Sequence, residues 1–251
     1  MNNKRFAGKN VMITGAGKNI GKELALNFAK EGANVIVCDY NEQAALQTVA
    51  EIQALGVQAF PAVCDVRDRA QIFAYVEQAT AQMGPVHVLV NNAGGSAGLL
   101  NKLTRFVDAE PDTLDFVIDT NLKGAMHCTQ AVLPSMIRAE SGKIISISSI
   151  AAVCGLYDRV DYAAAKAALI GMSKALAMEV GEYNICVNCV SPGAIARDGH
   201  CMDHMTFLGK NGHGGTPKDI SDMVLFLASQ DYITGQNFIV DGGRTLGPGW
   251  R

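Results

Sequence analysis

The sequence is poor in proline and in aromatic side chains, with 7 Pro, a single Trp and 6% Phe, Trp and Tyr in 251 residues. So little proline excludes collagen-like and polyproline architectures, and 49% hydrophobic residues exclude a disordered chain. Neither sign of charge dominates. Twenty-one basic and 24 acidic side chains leave a formal charge of -3, with no basic stripe and no acidic tail, so no nucleic-acid partner is expected. No run of about 18 apolar residues is available to span a bilayer. Residues 1–6 carry two cations with no apolar stretch behind them, which is not a secretory leader. The expectation is a cytoplasmic protein with no membrane partner. Seven cysteines are an odd number, and Cys38, Cys64, Cys154 and Cys189 lie inside apolar runs. They read as small buried hydrophobes of a reducing compartment rather than as a disulfide framework. Cys186 and Cys189 have CxxC spacing, but in a β-branched run the two thiols point to opposite faces of a strand, so no redox role is expected.

What the sequence does contain is alternation. Short apolar runs at 11–14, 34–38, 58–64, 86–90, 143–148, 184–190 and 237–240 read as strands. Helical periodicity fills 20–31, 42–55, 68–82, 111–137, 161–180 and 217–229, with Pro217 suited to a first helical turn. No linker or repeat divides the chain. This pattern predicts one α/β domain over residues 1–251, a doubly wound, Rossmann-like parallel sheet of seven strands with helices on both faces. Ligands of such sheets bind outside the carboxyl ends of the strands, where strand order reverses.

The first strand runs into Thr14-Gly15-Ala16-Gly17-Lys18-Asn19-Ile20-Gly21 and then a helix. Glycines stand where a turn must be tight and where backbone must approach a pyrophosphate at a helix N-terminus. Asp39 ends the second strand, where a carboxylate can accept from a ribose 2′-OH and would repel a 2′-phosphate, which favours NAD over NADP. Alternatively, Asp39 or Asn41 caps the next helix. Lys18 points the other way, since a cation in the turn could pair with a 2′-phosphate.

Tyr162 and Lys166 stand at i and i+4 on one face of an Ala-rich helix. A cation beside a phenol favours the phenolate, so Lys166 is expected to lower the Tyr162 pKa toward neutrality. Ser149 lies 13 residues earlier, just past a strand end, and Asn121 occupies a mid-helix position that is unfavourable without a reason. Asn91-Asn92-Ala93-Gly94 closes the fourth strand.

Together these motifs resemble the short-chain dehydrogenase/reductase family in its short form, over nearly the whole chain. The resemblance implies a sheet order of 3-2-1-4-5-6-7 and a catalytic tetrad of Asn121, Ser149, Tyr162 and Lys166. It implies Tyr162 as general acid/base, Ser149 as the group polarising the carbonyl, Lys166 on the nicotinamide ribose and Asn121 in a water-mediated proton relay. The implied cofactor set is Gly15, Gly17, Asn19, Ile20, Gly21, Asp39, Asp65, Val66, Asn92, Ala93, Gly94, Tyr162, Lys166, Pro192, Gly193 and Ile195, with Asp65 against adenine. Two departures stand out. Asn19 replaces a family glycine, tolerable because Asn visits left-handed backbone. Arg197 stands where the family places a nicotinamide-contacting Thr. The resemblance also implies a homotetramer built through the helices at 111–137 and 161–180.

Residues 194–215 form a long polar segment expected to be a substrate lid, with Arg197, Asp198, His200, Asp203, His204, Lys210 and His213. A second wall, 94–106, adds Ser96, Asn101, Lys102 and Arg105. This polarity predicts a hydroxylated or anionic small substrate, such as a polyol, sugar or sugar acid, oxidised at a secondary alcohol with NAD. The alternatives are an NADPH-dependent 3-oxoacyl carrier protein ketoreductase, a hydroxysteroid dehydrogenase, or a non-catalytic dinucleotide sensor. Cys201, His204 and His213 match no closed ligand spacing, so no metal is expected. His87 and His127 read as packing residues.

Overall fold

Each apolar run becomes a strand, and the central strands are buried on both faces while the two edge strands, at 59–63 and 237–240, are only partly covered. The computed structural model describes residues 4–197, 208 and 214–247. Its strands are β1 (Asn10–Thr14), β2 (Asn34–Asp39), β3 (Ala59–Val63), β4 (Val88–Asn91), β5 (Gly142–Ile147), β6 (Ile185–Pro192) and β7 (Asn237–Val240). They form one sheet in the order β3-β2-β1-β4-β5-β6-β7, every neighbouring pair parallel. The order reverses between β1 and β4, which places the ligand crevice there.

Period-two alternation sends neighbouring residues into different cores. Val11, Ile13, Val35 and Val37 pack with Leu24, Phe28, Ile220 and Val224 on one face. Met12, Ile36 and Leu89 pack with Ile72, Val132 and Met136 on the other. The first layer rests on α1 (Asn19–Lys30), α2 (Glu42–Gln53) and α8 (Pro217–Ala228), and the second on α3 (Arg69–Met83), α5 (Gly124–Arg138) and α7 (Val160–Val180). At about 25 cal/mol per Å², burying one such Leu, Ile or Phe side chain contributes roughly 2 kcal/mol, so the layers account for most of the driving force.

Local signals set the helix ends. Asn41 caps α2 by accepting from Ala44 N at 2.9 Å. Pro217 opens α8 behind a capping box of Thr216 and Asp219. The single long helix expected over 111–137 is interrupted. It runs as α4 (Pro111–Ile118), a π-helical turn (Asp119–Lys123) and α5. The bulge is the reason the mid-helix Asn121 demanded: its amide hydrogen-bonds outside the helix as well as to Val117 O. A four-residue helix, α6 (Ala151–Cys154), was not expected. Among the described residues no helix is long and apolar enough to cross a membrane.

Candidate active site

The carboxyl ends of β1, β4, β5 and β6 gather the sequence motifs. In the turn after β1, Gly15 has φ +63° and Asn19 has φ +48°, so Asn19 adopts the left-handed backbone expected of it. A methyl group on Gly21 would overlap the carbonyl oxygen of Gly15, and one on Gly17 would lie 2.8 Å from Ala44 Cβ and 2.9 Å from Asp39 Oδ2. These glycines are steric requirements of a turn folded against a helix start. Lys18, extended and exposed, precedes α1 without a side-chain cap, and no acidic residue lies in the first helical turn. That end suits an anionic group such as a pyrophosphate.

Asp39 is buried, and its two oxygens accept from Gly17 N at 2.8 Å and Asn41 N at 2.9 Å. Asn41, not Asp39, caps α2. The Asp39 carboxylate faces the glycine turn through Gly17 N. Ile20 packs partly on the core.

Thr14, which the sequence reading passed over, ties the crevice together. Its Oγ1 accepts from Asn92 N (3.0 Å) and Ala93 N (2.9 Å), while Asn92 Nδ2 donates to Thr14 O and Gly15 O. The Asn92 amide therefore braces the turn rather than pointing into open space. Val66 is buried against Gly124, and its carbonyl meets His127 Nδ1 at 3.1 Å. Asp65 is held by Arg67 through Nε at 2.9 Å, and the guanidinium keeps this carboxyl below its usual range. Any adenine contact by Asp65 competes with that pair.

Two of the four expected catalytic side chains, Asn121 and Lys166, meet at Gly94, and Lys166 leads on to Tyr162 and Ser149. A methyl group on Gly94 would overlap Asn121 Oδ1 and come within 3.0 Å of Lys166 Nζ. Asn121 clamps the following residue, accepting from Gly95 N at 3.0 Å and donating to Gly95 O at 2.8 Å. Lys166 is buried, donates to Ile147 O at 2.8 Å, and is pushed down to about 8 by burial. Ser148 Oγ donates to Lys166 O at 2.8 Å and anchors that helical turn on the strand end. Ser149 Oγ accepts from Ala151 N at 3.1 Å and lies beside the Tyr162 phenol, which it favours in its ionised form.

One expectation is corrected. Burial raises the Tyr162 phenol above its ordinary value, opposed by the Ser149 hydrogen bond and then by the Arg197 and Arg159 guanidiniums. The Lys166 Nζ lies 5.7 Å from the Tyr162 ring centre and is directed to Ile147 O. Arg159 was missed by the sequence reading, although its position three residues before Tyr162 on a helix start was a usable signal.

Pro192 O accepts from Ile150 N, and Gly193 packs on Asp241, where a methyl group would lie 2.7 Å from Asp241 Cα. Ile195 pairs with Gly215 in a parallel bridge, and Ala196 N donates to Gly215 O at 2.7 Å. The two ends of the 194–215 segment are thereby pinned beside β6. Arg197 is exposed, while Asp198, His200, Cys201, Asp203, His204, Lys210 and His213 lie outside the described residues. Among the described residues no group of three His, Cys, Asp or Glu side chains is placed to hold a metal ion. His87 Nδ1 accepts from Asn10 N at 2.9 Å, a packing role like that of His127. Cys186 lies against Lys143 and Cys189 against Ser173, on opposite faces of β6, as the spacing required.

The sequence model of the family described as short chain dehydrogenase matches residues 9–201. The 3-oxoacyl-acyl-carrier-protein reductase of Thermotoga maritima is 38% identical over 255 residues, covering 96% of this chain and 100% of that protein. A subunit of the (2S)-[(R)-hydroxy(phenyl)methyl]succinyl-CoA dehydrogenase of Thauera aromatica is 39% identical over 248 residues, 94% of this chain and 96% of the relative. Among solved structures, a 7α-hydroxysteroid dehydrogenase complexed with NADH and 7-oxo glycochenodeoxycholic acid superposes with a TM-score of 0.87 at 36% identity, covering 96% of each chain. Family match, identity and architecture agree over nearly the whole length, and the chain belongs to the short-chain dehydrogenase/reductase family, as an oxidoreductase acting on CH–OH groups with a nicotinamide cofactor.

Proposed function

We propose that this chain is an NAD-dependent dehydrogenase that interconverts a secondary alcohol and a ketone on a polar small molecule, with Tyr162 as the proton-transfer group. The observation that carries the reading is the chain of neighbours at the strand ends: Asn121 and Lys166 against Gly94, Lys166 beside the Tyr162 ring, and Ser149 beside the Tyr162 phenol. The bound nicotinamide would supply the acceptor or donor of hydride. Everything else falls to the chain. Gly15, Gly17, Asn19, Ile20 and Gly21 would hold the pyrophosphate against α1, with Asp39 on the adenosine ribose and Asp65 and Val66 at the adenine. Asn92, Ala93, Gly94, Pro192, Gly193 and Ile195 would line the nicotinamide half.

Ser149 would orient the substrate oxygen while Tyr162 takes or returns its proton. Lys166, donating one hydrogen bond to Ile147 O, keeps further N–H groups for ribose hydroxyls. Asn121 holds the 94–95 turn in place and would support a relayed water. Asp39 supports NAD because a buried carboxylate beside Gly17 N repels a 2′-phosphate. The pinned segment 194–215 would close over substrate. We also propose a homotetramer joined through the helices of 111–137 and 161–180.

The resemblance to acyl-carrier-protein reductases favours a second reading, an NADPH-dependent 3-oxoacyl ketoreductase. The test is the initial rate of NAD reduction, with NADP in parallel, across polyols, sugars, sugar acids, hydroxysteroids, 3-hydroxyacyl thioesters and simple secondary alcohols. Turnover of polar substrates with NAD is the expected result; turnover confined to NADP and acyl thioesters selects the second reading. Tyr162→Phe should lower kcat by at least about 100-fold while NADH still binds. Undiminished turnover in that variant would remove Tyr162 from the mechanism, and NADH binding with no turnover of any compound would select a sensor.

A further inference from the structure

The two aspartates proposed to meet the adenosine are each preceded by a cysteine, in Cys38-Asp39 and Cys64-Asp65. Side chains alternate along a strand, so the Cys38 thiol points into the core opposite to the Asp39 carboxylate. The pairing of β2 with β3 sets Cys38 against Ala62, and Cys64 follows two residues later on the same face. Both thiols enter the core layer of Met12 and Ile72. There Cys38 Sγ and Cys64 Sγ lie 3.4 Å apart. A disulfide needs about 2.05 Å between sulfurs, so a closure of roughly 1.4 Å would join them.

The backbone around this pair is also the backbone of the cofactor crevice. Cys38 O accepts from Ala16 N, inside the glycine turn, at 3.1 Å, and Cys64 N donates to Asp39 O at 3.1 Å. The Asp39 carboxylate in turn accepts from Gly17 N at 2.8 Å. Drawing the sulfurs together therefore pulls on the two strand ends that hold the turn and the ribose carboxylate.

We propose that Cys38 and Cys64 are an oxidation-sensitive dithiol, closed to a disulfide by a peroxide, whose closure reversibly weakens dinucleotide binding. This rests on the reading of the glycine turn and Asp39 as the dinucleotide site. Cys64 is the thiol that meets the oxidant: it stands just past the end of the outermost strand at 3% exposure, whereas Cys38 is at 0%. Local opening at that edge is enough to admit a molecule as small as hydrogen peroxide. The Cys64 thiolate attacks one peroxide oxygen, the O–O bond breaks, and the departing hydroxide takes up a proton to leave as water. The Cys38 thiolate then attacks the sulfur of the Cys64 sulfenic acid, the S–O bond breaks, and a second water leaves. In sum two thiols give up two protons and two electrons, and one peroxide becomes two waters. A thiol reductant reverses the link, as suits a protein of a reducing compartment.

The experiment treats the parent protein with hydrogen peroxide, removes the oxidant, blocks the remaining thiols and maps the cysteines by peptide mass. The expected product is a Cys38–Cys64 linked peptide. NADH affinity, read by fluorescence on the same sample, should fall about 10-fold, the scale of one lost hydrogen bond, and dithiothreitol should restore it. In Cys38→Ala and in Cys64→Ala, each compared before and after oxidation, affinity should change by less than about two-fold. Should one of these variants fail to fold, the other carries the comparison. A link from either thiol to Cys128, or oxidation confined to the exposed Cys154, would overturn the dithiol. A Cys38–Cys64 link that leaves NADH affinity unchanged, or an equal loss of affinity in the alanine variants, would overturn the control of binding. A parent protein that binds no NADH before oxidation removes the dinucleotide reading instead, and the peptide map still decides whether the dithiol closes.

Discussion

Lys166 places an ammonium where almost no water reaches, at 3% exposure, and burial moves its pKa from 10.5 to about 8. Below about pH 8 the group is protonated in both native and unfolded chains, so the burial penalty is full and constant. Between about pH 8 and 10.5 the unfolded chain binds the proton and the native chain does not, so native stability rises with pH over that window. The gain is about 3 kcal/mol. Urea unfolding of the parent and of Lys166→Met at intervals from pH 7 to pH 11 should show the parent gaining about that much on the variant; a pH-independent difference would sink the argument. Asp39 yields a second prediction at this scale. Asp39→Ser should weaken NAD binding by about 10-fold through loss of charge-assisted hydrogen bonds, and should improve NADP by removing the repulsion. Fluorescence titration with NADH and NADPH reads both, and unchanged discrimination would reassign the carboxylate to bracing Gly17 alone.

At the scale of elements, the π-helical turn Asp119–Lys123 connects local structure to the site. It swings the Asn121 amide onto both backbone groups of Gly95. Asn121→Ala removes three hydrogen bonds at a buried position, counting the one to Val117 O, and should cost about 2–3 kcal/mol. It should also speed amide hydrogen exchange over residues 94–108, while exchange in β1 and β2 stays slow. Exchange spread evenly over the whole sheet would show a merely global loss. The Asn121 bulge also shows how sequence reading works and where it stops. All seven strands and six long helical segments were legible, because period-two and 3.6-residue patterns record which faces are buried. Asn19 was legible too, since few residues other than Gly accept φ near +48°. The bulge was visible as an oddly placed Asn but not as geometry, because its partner at Gly95 is 26 residues away in sequence. The Thr14 bracket on Asn92 and Ala93, 78 and 79 residues distant, left no local pattern at all. The Tyr162 correction has the same origin: charge spacing along a helix is local, whereas burial is a property of the assembled fold.

At the scale of the molecule, α7 presents two different faces. Ala165, Lys166, Leu169, Ser173, Ala177 and Val180 are buried in this chain, following helical spacing toward the sheet. On the outer side Ala164, Ala167, Gly171, Ala175 and Met178 are exposed, Met178 by 87%, and they form a stripe of small and apolar residues with Lys174 and Glu179 exposed beside it. A second copy of the same helix, related by two-fold symmetry, would cover this stripe and join catalytic helices back to back. This contact alone gives a dimer, and with the second contact proposed through residues 111–137 light scattering should give a mass near four times 26.6 kDa. Gly171 isolates the interface from the fold, because a Cβ there meets nothing within 4 Å in the single chain. Gly171→Gln adds a better helix former, worth up to about 1 kcal/mol to the helix, yet places a bulky side chain where a partner backbone would approach. The expected outcome is a folded protein of lower mass, with NADH affinity retained because the cofactor crevice lies at the strand ends rather than on this face. A variant that keeps the parent mass would show that α7 does not carry the contact, and would move the search to the exposed side of the 111–137 segment, where Met126 stands 39% exposed.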